Sequence, residues 1–286
     1  MVNFLKYKWL YFLISATVIG GGIFSIVRWG YIYSIDFVGG TNLEYQFDRK
    51  FSRKEVESFF KTEKIEIIEF NIQNNVLLVR AKTIDEKIEQ KLKINLEKKL
   101  GKLVVLKSET VGATLGQETV FKTVIASFLG MIAILLYMSF AFKGINAAIA
   151  AILAAFHDLL VIFGSYSLMS HFLGAQMDSL FVTAILTSMS LSVHDTIVVF
   201  DKIREYKGEE GGSIEFFANK ALTETMVRSV NNSMTIVFML LALVLLGGVT
   251  IKFFAMTLLI GTVTGTYSSP FIATPIFVWL EKRKQK

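Results

Sequence analysis

The chain has 286 residues, 53% of them hydrophobic, with 25 Phe and only 2 Pro. That composition excludes an ordinary soluble globule and fits a chain that crosses a membrane several times. It has no Cys, which excludes disulfides and thiolate metal sites, and its net charge of +6 sits largely beside the apolar runs, where it reports orientation rather than nucleic-acid binding.

In chain order, residues 1–29 hold a short start with Lys6 and Lys8 and an apolar run, Trp9–Trp29, bracketed by Trp as at a membrane interface. No small-x-small cleavage site follows, so the run reads as a retained helix rather than a signal peptide. Gly20, Gly21 and Gly22 at its centre suggest close packing or a weak point.

Residues 30–118 are rich in charge and read as a water-soluble domain. Asn42–Phe47 alternates Leu43, Tyr45 and Phe47 as a half-buried strand does. Ser52 to Glu55 is a capping box before a short helix with Val56, Phe59 and Phe60 inward. Ile65–Ile72 and Val76–Ala81 read as strands joined at Asn74-Asn75. Thr83 to Glu86 reads as a second capping box, opening a helix with Ile88, Leu92, Leu96 and Leu100 on one face and Gly101 at its end. Leu103–Lys107 is the last strand. The order strand-helix-strand-strand-helix-strand predicts a ferredoxin-like α+β domain.

Residues 119–286 hold five more apolar runs: Val120–Phe142, Ile145–Leu168, Met177–Phe200, Ser229–Val249 and Lys252–Leu280. A polar stretch, 201–227, is expected to be a loop with a short amphipathic helix around Ile214–Thr225. The last run carries Gly261-x-x-x-Gly265, a close-packing pattern. The fold expected is thus an all-α membrane bundle of six transmembrane helices, with the α+β domain between the first and second. Lys6, Lys8, Lys143, Lys202, Arg204, Lys207, Lys220 and the basic tail Glu281–Lys286 fall on one side, which the positive-inside rule places in the cytoplasm with both termini. The 30–118 domain then lies outside.

The chemistry is concentrated in the membrane runs. His194 and Asp195 lie in the fourth, His157 and Asp158 in the third, and Arg228 opens the fifth. A charged carboxylate at the centre of a membrane helix costs about 2.5–3.5 kcal/mol, so a chain that keeps one usually uses it. Ala184, Ser188, Ser192 and Asp195 share one helical face suited to a close protein neighbour, and Leu186, Met189, Val193, Ile197 and Phe200 share a face suited to lipid. Ala147, Ala151, Ala154 and Asp158 likewise share a face. Two readings follow. Arg228 moving toward and away from Asp195 loads and releases a proton, or the charges form a static lock between helices. His157 and His194 fit either hydrogen-bonded packing or a relay. Gly39-Gly40 after Asp36 lacks the Lys-Ser/Thr of a phosphate loop and reads as a flexible turn or a hinge. No Walker motif, metal-ligand cluster or nucleophile–base pattern is present, so neither an enzyme, a cofactor nor a metal is expected.

These motifs carry a resemblance. Asp36-Phe-Val-Gly-Gly-Thr41, Val111 to Gly116, Ala155-Phe-His-Asp158, Ser192 to Glu205, Thr223 to Ser229 and Gly261 to Ser269 resemble the SecF family of bacterial protein-export subunits. That family belongs to the resistance–nodulation–division type of proton-driven transporters. The resemblance implies partners: a SecD subunit, the SecYEG channel, preproteins and the lipid bilayer of the inner membrane, with no nucleic acid. It implies use of the proton motive force in late translocation, with Asp195 and Arg228 as the coupling pair. His194, Asp158, His157, Thr266, Ser268 and Ser269 would line the route, and Asp36, Gly39 and Gly40 would form the motif at the start of the outer domain. The family commonly has Asn where this chain has His194, Pro where it has Ala113, and an apolar residue at Pro270. His194 leaves proton and sodium both open as the coupling ion. A proton-driven efflux component and a passive scaffold of the translocon are the alternative readings.

Overall fold

The computed structural model describes residues 2–49, 51–63, 65–73, 75–141, 144–209 and 211–284. Asn74, Phe142, Lys143, Gln285 and Lys286, which entered the expectations above, lie outside the described residues. In chain order the elements are α1 (Lys8–Trp29), α2 (Ile35–Val38), β1 (Gly40–Phe47), α3 (Arg53–Thr62), β2 (Ile67–Gln73), β3 (Val76–Ala81), α4 (Glu86–Leu100) and β4 (Leu103–Val111), then α5 (Ala113–Ala141), α6 (Ile145–Leu173), α7 (Ser179–Glu209), α8 (Ile214–Leu246), α9 (Val249–Ser268) and α10 (Thr274–Lys284). The chain divides into two compact units, Tyr33–Val124 and Met1–Ile32 with Ile125–Lys286.

In the unit Tyr33–Val124, four antiparallel strands lie in the order β2-β3-β1-β4. Alternation puts Leu43, Tyr45 and Phe47 of β1 and Leu77, Val79 and Ala81 of β3 into one core. Val56 and Phe60 of α3 and Leu92, Leu96 and Leu100 of α4 close over it. Ser52 and Glu55 form the capping box: Glu55 N–H donates to Ser52 Oγ at 3.3 Å and Ser52 N–H to Glu55 Oε2 at 3.0 Å. The second box expected at Thr83–Glu86 does not form. Thr41 Oγ1 takes the Ile84 N–H at 2.9 Å and Ile84 joins the core, so α4 starts later, with Asp85 at its N-cap. Asn75 has φ 63°, as the hairpin turn requires, and Gly101 ends α4 at φ 97°. The last strand runs to Val111, beyond its expected end, because β1 pairs with it along its whole length.

The other unit is a bundle of apolar helices. Five helical segments among the described residues are long and apolar enough to cross a membrane: Phe4–Trp29, which takes in α1, and stretches of α5, α6, α7 and α8. The run expected as a sixth is divided. α9 carries Thr262, Thr264, Thr266 and Ser268, and a π turn, Ser269–Ala273, separates it from α10. The turn holds Pro270, which has no N–H to give a regular ladder.

The loop expected over 201–227 is instead mostly helix. α7 continues to Glu209, and the short helix expected at Ile214–Thr225 is the first part of α8. Its charges hid an apolar stripe: Ile203, Tyr206, Ile214, Phe217, Ala218, Ala221 and Leu222 are all buried in the bundle. The basic tail is helical as far as Lys284, and Glu281 within it bonds Asn146 and Lys207 at 2.7 Å each.

Two close helix approaches hold this unit together. A Cβ built on Gly22 of α1 would lie 2.8 Å from Gly164 Cα of α6, whereas Gly20 and Gly21 face open space. A Cβ built on Gly265 of α9 would lie 2.8 Å from Ser192 Cβ of α7, and one on Gly261 would strike the Ser188 side chain. The Gly-x-x-x-Gly face therefore seats directly on the small face of α7. On α7, Ala184, Ser188, Ser192 and Asp195 are buried as expected. Met189, Val193 and Phe200, assigned above to lipid, are buried too, because α6, α8 and α9 all pack against α7 and enclose most of its circumference.

Candidate functional site

The two acids of the bundle sit in different surroundings. Asp158 of α6 is 2% exposed and fully engaged. Its Oδ1 lies 2.9 Å from Nδ1 of His157, and its Oδ2 accepts from Ser192 Oγ at 2.5 Å and Ser268 Oγ at 2.7 Å. The other imidazole nitrogen, Nε2, lies 2.9 Å from Ser15 Oγ of α1. Helices α6, α7 and α9 thus meet on one carboxylate, and α1 joins them through His157. The approach of Gly265 to Ser192 brings α9 close enough for Ser268 to reach Asp158. The next residue, Ser269, turns to α7: its Oγ meets Thr196 Oγ1 at 2.8 Å and donates to the Ser192 carbonyl at 3.3 Å.

Asp195 of α7 is also buried, at 8% exposure, but it borders an open pocket of about 370 Å³. His194, Val198, Arg228, Ser229 and Asn232 line the pocket with it. Ser229 and Thr266 stand beside its carboxylate. Thr266 Oγ1 donates to Ser233 Oγ at 2.6 Å, which ties α9 to α8. His194 and Arg228 are exposed. Among the described residues no ion pair joins Asp195 to Arg228, so the two share a pocket without a closed lock.

Asp36, Gly39 and Gly40 belong to the unit Tyr33–Val124. Ser34 Oγ caps the short α2 by accepting the Asp36 N–H at 3.2 Å. Gly39 has φ 74° and Gly40 φ 130°, both in the region that favours glycine. A Cβ on Gly39 would lie 2.8 Å from Ala113 Cα, and one on Gly116 would lie 2.9 Å from Gly39 N. The flexible turn expected here is instead a tight backbone junction between the first two family-like motifs.

Sequence reasoning did not pick out Ser15, Thr196, Ser229 or Asn232. Ser15 carries no local signal, since one hydroxyl in an apolar helix is common. Asn232 was visible as a polar residue at the start of the fifth run. Among the described residues no group of three or more His, Asp or Glu is placed to hold a metal ion.

The arrangement defines a multi-pass membrane protein with ionisable groups inside its helical bundle. Residues 90–283 match the family described as Protein export membrane protein SecD/SecF, C-terminal. The chain is 36% identical to the protein translocase subunit SecF of Thermobaculum terrenum, covering 99% of this chain and 95% of that one. It is also 36% identical to the protein translocase subunit SecF of Anaerolinea thermophila, over 98% and 94% of the two chains. The crystal structure of SecDF, a translocon-associated membrane protein from Thermus thermophilus, superposes with a TM-score of 0.85 at 29% identity over 99% of this chain. The present chain spans 39% of that SecDF chain. It belongs to the SecD/SecF family of protein export membrane proteins.

Proposed function

We propose that this chain is a six-span inner-membrane subunit that couples the proton motive force to late steps of Sec protein export, together with a SecD-type partner, the SecYEG channel and preproteins. α1, α5, α6, α7, α8 and the α9–α10 pair are the six spans. The unit Tyr33–Val124 is the outer domain, and its strand order β2-β3-β1-β4 supports a ferredoxin-like assignment. Both termini are cytoplasmic by the charge rule. Family membership supports the export role, and the 39% share of a SecDF chain supports a partner that supplies the remainder.

The observation that carries the coupling reading is Asp195, a buried carboxylate in a membrane-crossing helix that borders a pocket shared with Arg228. In that reading Asp195 carries the proton and Arg228 tunes it by approaching or withdrawing. A proton crossing about 100 mV supplies about 2.3 kcal/mol, enough to bias a conformational equilibrium more than tenfold. The outer domain moves with the helices and grips or releases the emerging chain.

The test is export of a secreted protein with wild type or Asp195→Asn, with the gradient present or collapsed and partner assembly checked equal. The expected result is that the variant exports at the rate of gradient-collapsed wild type. Normal export by the variant under a full gradient overturns the reading and leaves a scaffold.

A further inference from the structure

Asp158 has a chain of bonds that reads equally well in two directions. With Asp158 ionised and His157 neutral, Nδ1–H donates to Oδ1 across 2.9 Å, and the Ser15 hydroxyl donates to Nε2 across 2.9 Å. Suppose one proton arrives at Ser15 Oγ. Ser15 passes its own proton to Nε2, and Nδ1 passes its proton to Oδ1. The product is a neutral acid whose O–H donates to Nδ1, an imidazole of the opposite tautomer whose Nε2–H donates to Ser15, and a Ser15 hydroxyl holding the arriving proton. One proton has been gained and every bond survives in reversed sense. Oδ2 accepts from Ser192 at 2.5 Å and Ser268 at 2.7 Å in both states, because a carbonyl oxygen has two lone pairs.

We propose that Ser15, His157 and Asp158 form a proton-holding site that takes up and releases one proton without displacing a heavy atom. The neighbouring elements are set for it. α1 presents Ser15. α7 presents Ser192, with Asp195 one turn further on, and α9 presents Ser268 and Tyr267. The Tyr267 ring centroid lies 6.4 Å from that of His157, and its hydroxyl donates to the Tyr11 carbonyl at 2.9 Å. The π turn presents Ser269, which is engaged with Thr196. α10 contributes Glu281, bonded to Asn146 about three turns away along α6. The one ion pair at Asp158 among the described residues is with His157, so no Lys or Arg fixes its charge. Bonds to α1, α7 and α9 make the proton state of α6 a matter for four helices.

The site deepens the coupling reading by giving it a second proton position, but its test reads protonation rather than export. The full chain is reconstituted in lipid vesicles, and infrared difference spectra are taken as pH is lowered. A protonated-carboxyl band is expected that Asp158→Asn removes and Asp195→Asn leaves. Ser15→Ala keeps the acid and the imidazole but removes the far end of the chain, and is expected to move the midpoint of that band by about one pH unit, tenfold in proton affinity. Two results overturn the proposal: a pH-difference spectrum with no band assignable to Asp158, or a midpoint unmoved in Ser15→Ala. Should Asp158→Asn not reach the membrane, the Ser15→Ala midpoint decides alone. Normal export by Asp195→Asn would sink the coupling reading and leave this result standing.

Discussion

Asp158 and Asp195 are acids on adjoining helices of one bundle, 2% and 8% exposed, yet their surroundings have little in common. Asp158 is enclosed by His157, Ser192 and Ser268, with each oxygen engaged. Asp195 borders a pocket of about 370 Å³ with an exposed histidine and an exposed arginine on its walls. Depth in the apolar interior is common to both, so depth does not assign their roles. What differs is access and slack. An enclosed, fully bonded acid exchanges a proton only along its own bonds, whereas an acid on a pocket answers to whatever enters and to an arginine with room to move.

The comparison breaks most completely if the two sites are pushed apart. Gly265→Leu drives a side chain into Ser192, which should separate α9 from α7 and pull both Ser192 and Ser268 from Asp158. Overpacking together with lost bonds to a carboxylate predicts a loss of about 3 kcal/mol or more, read as a lower melting temperature of the purified full chain. Wild-type stability would mean that α9 does not seat on α7 at Gly265.

Paired polar deletions sharpen the contrast. Ser268→Ala removes one of two donors to Asp158 Oδ2 and should cost about 1.5–3 kcal/mol, the range for hydrogen bonds to charged groups. Asn232→Ala, on the open pocket, should stay within about 0.5 kcal/mol of wild type. Equal losses in the same melting assay would erase the distinction between an enclosed site and an open one. In the export assay only a modest effect is expected from His194→Asn. His194 is exposed on the pocket wall, so gradient-driven export should change by less than about tenfold, equivalent to 1.4 kcal/mol. The change should appear in the dependence of export on pH more than in its maximum rate. A complete loss of export would make His194 an essential proton carrier.

Much of this was legible where the pattern is local. Strand alternation at Leu43, Tyr45 and Phe47 needs only two-residue periodicity, and the Ser52–Glu55 box needs only four residues. The close-packing face of α7 and the Gly-x-x-x-Gly of α9 could each be read alone, though not that they meet. Long-range partners were out of reach. Nothing near Ser15 marks it as the partner of His157, 142 positions away. The lipid assignment of Met189, Val193 and Phe200 failed because in a membrane protein a large apolar side chain suits lipid and protein alike. The loop expected over 201–227 was misread because its charges outnumber the buried stripe of Ile203, Tyr206, Phe217 and Leu222 that makes it helix. The Thr83 box lost to a bond that the Ile84 N–H donates to Thr41, a strand residue that no local reading connects to it.

The π turn at Ser269–Ala273 also fixes a rotational phase. Such a turn takes up one residue more than an α-helical turn does. If the same residues wound as a plain α-helix, everything beyond them would rotate by about 100°. Glu281 would swing away from Asn146 and Lys207, and the tie among α6, α7 and α10 would part. A chain shortened by one residue within the turn would keep that tie while straightening the helix. In this helix, therefore, residue count matters as much as residue identity: one residue added here acts as a gear tooth, and its effect is felt at Glu281, two turns beyond.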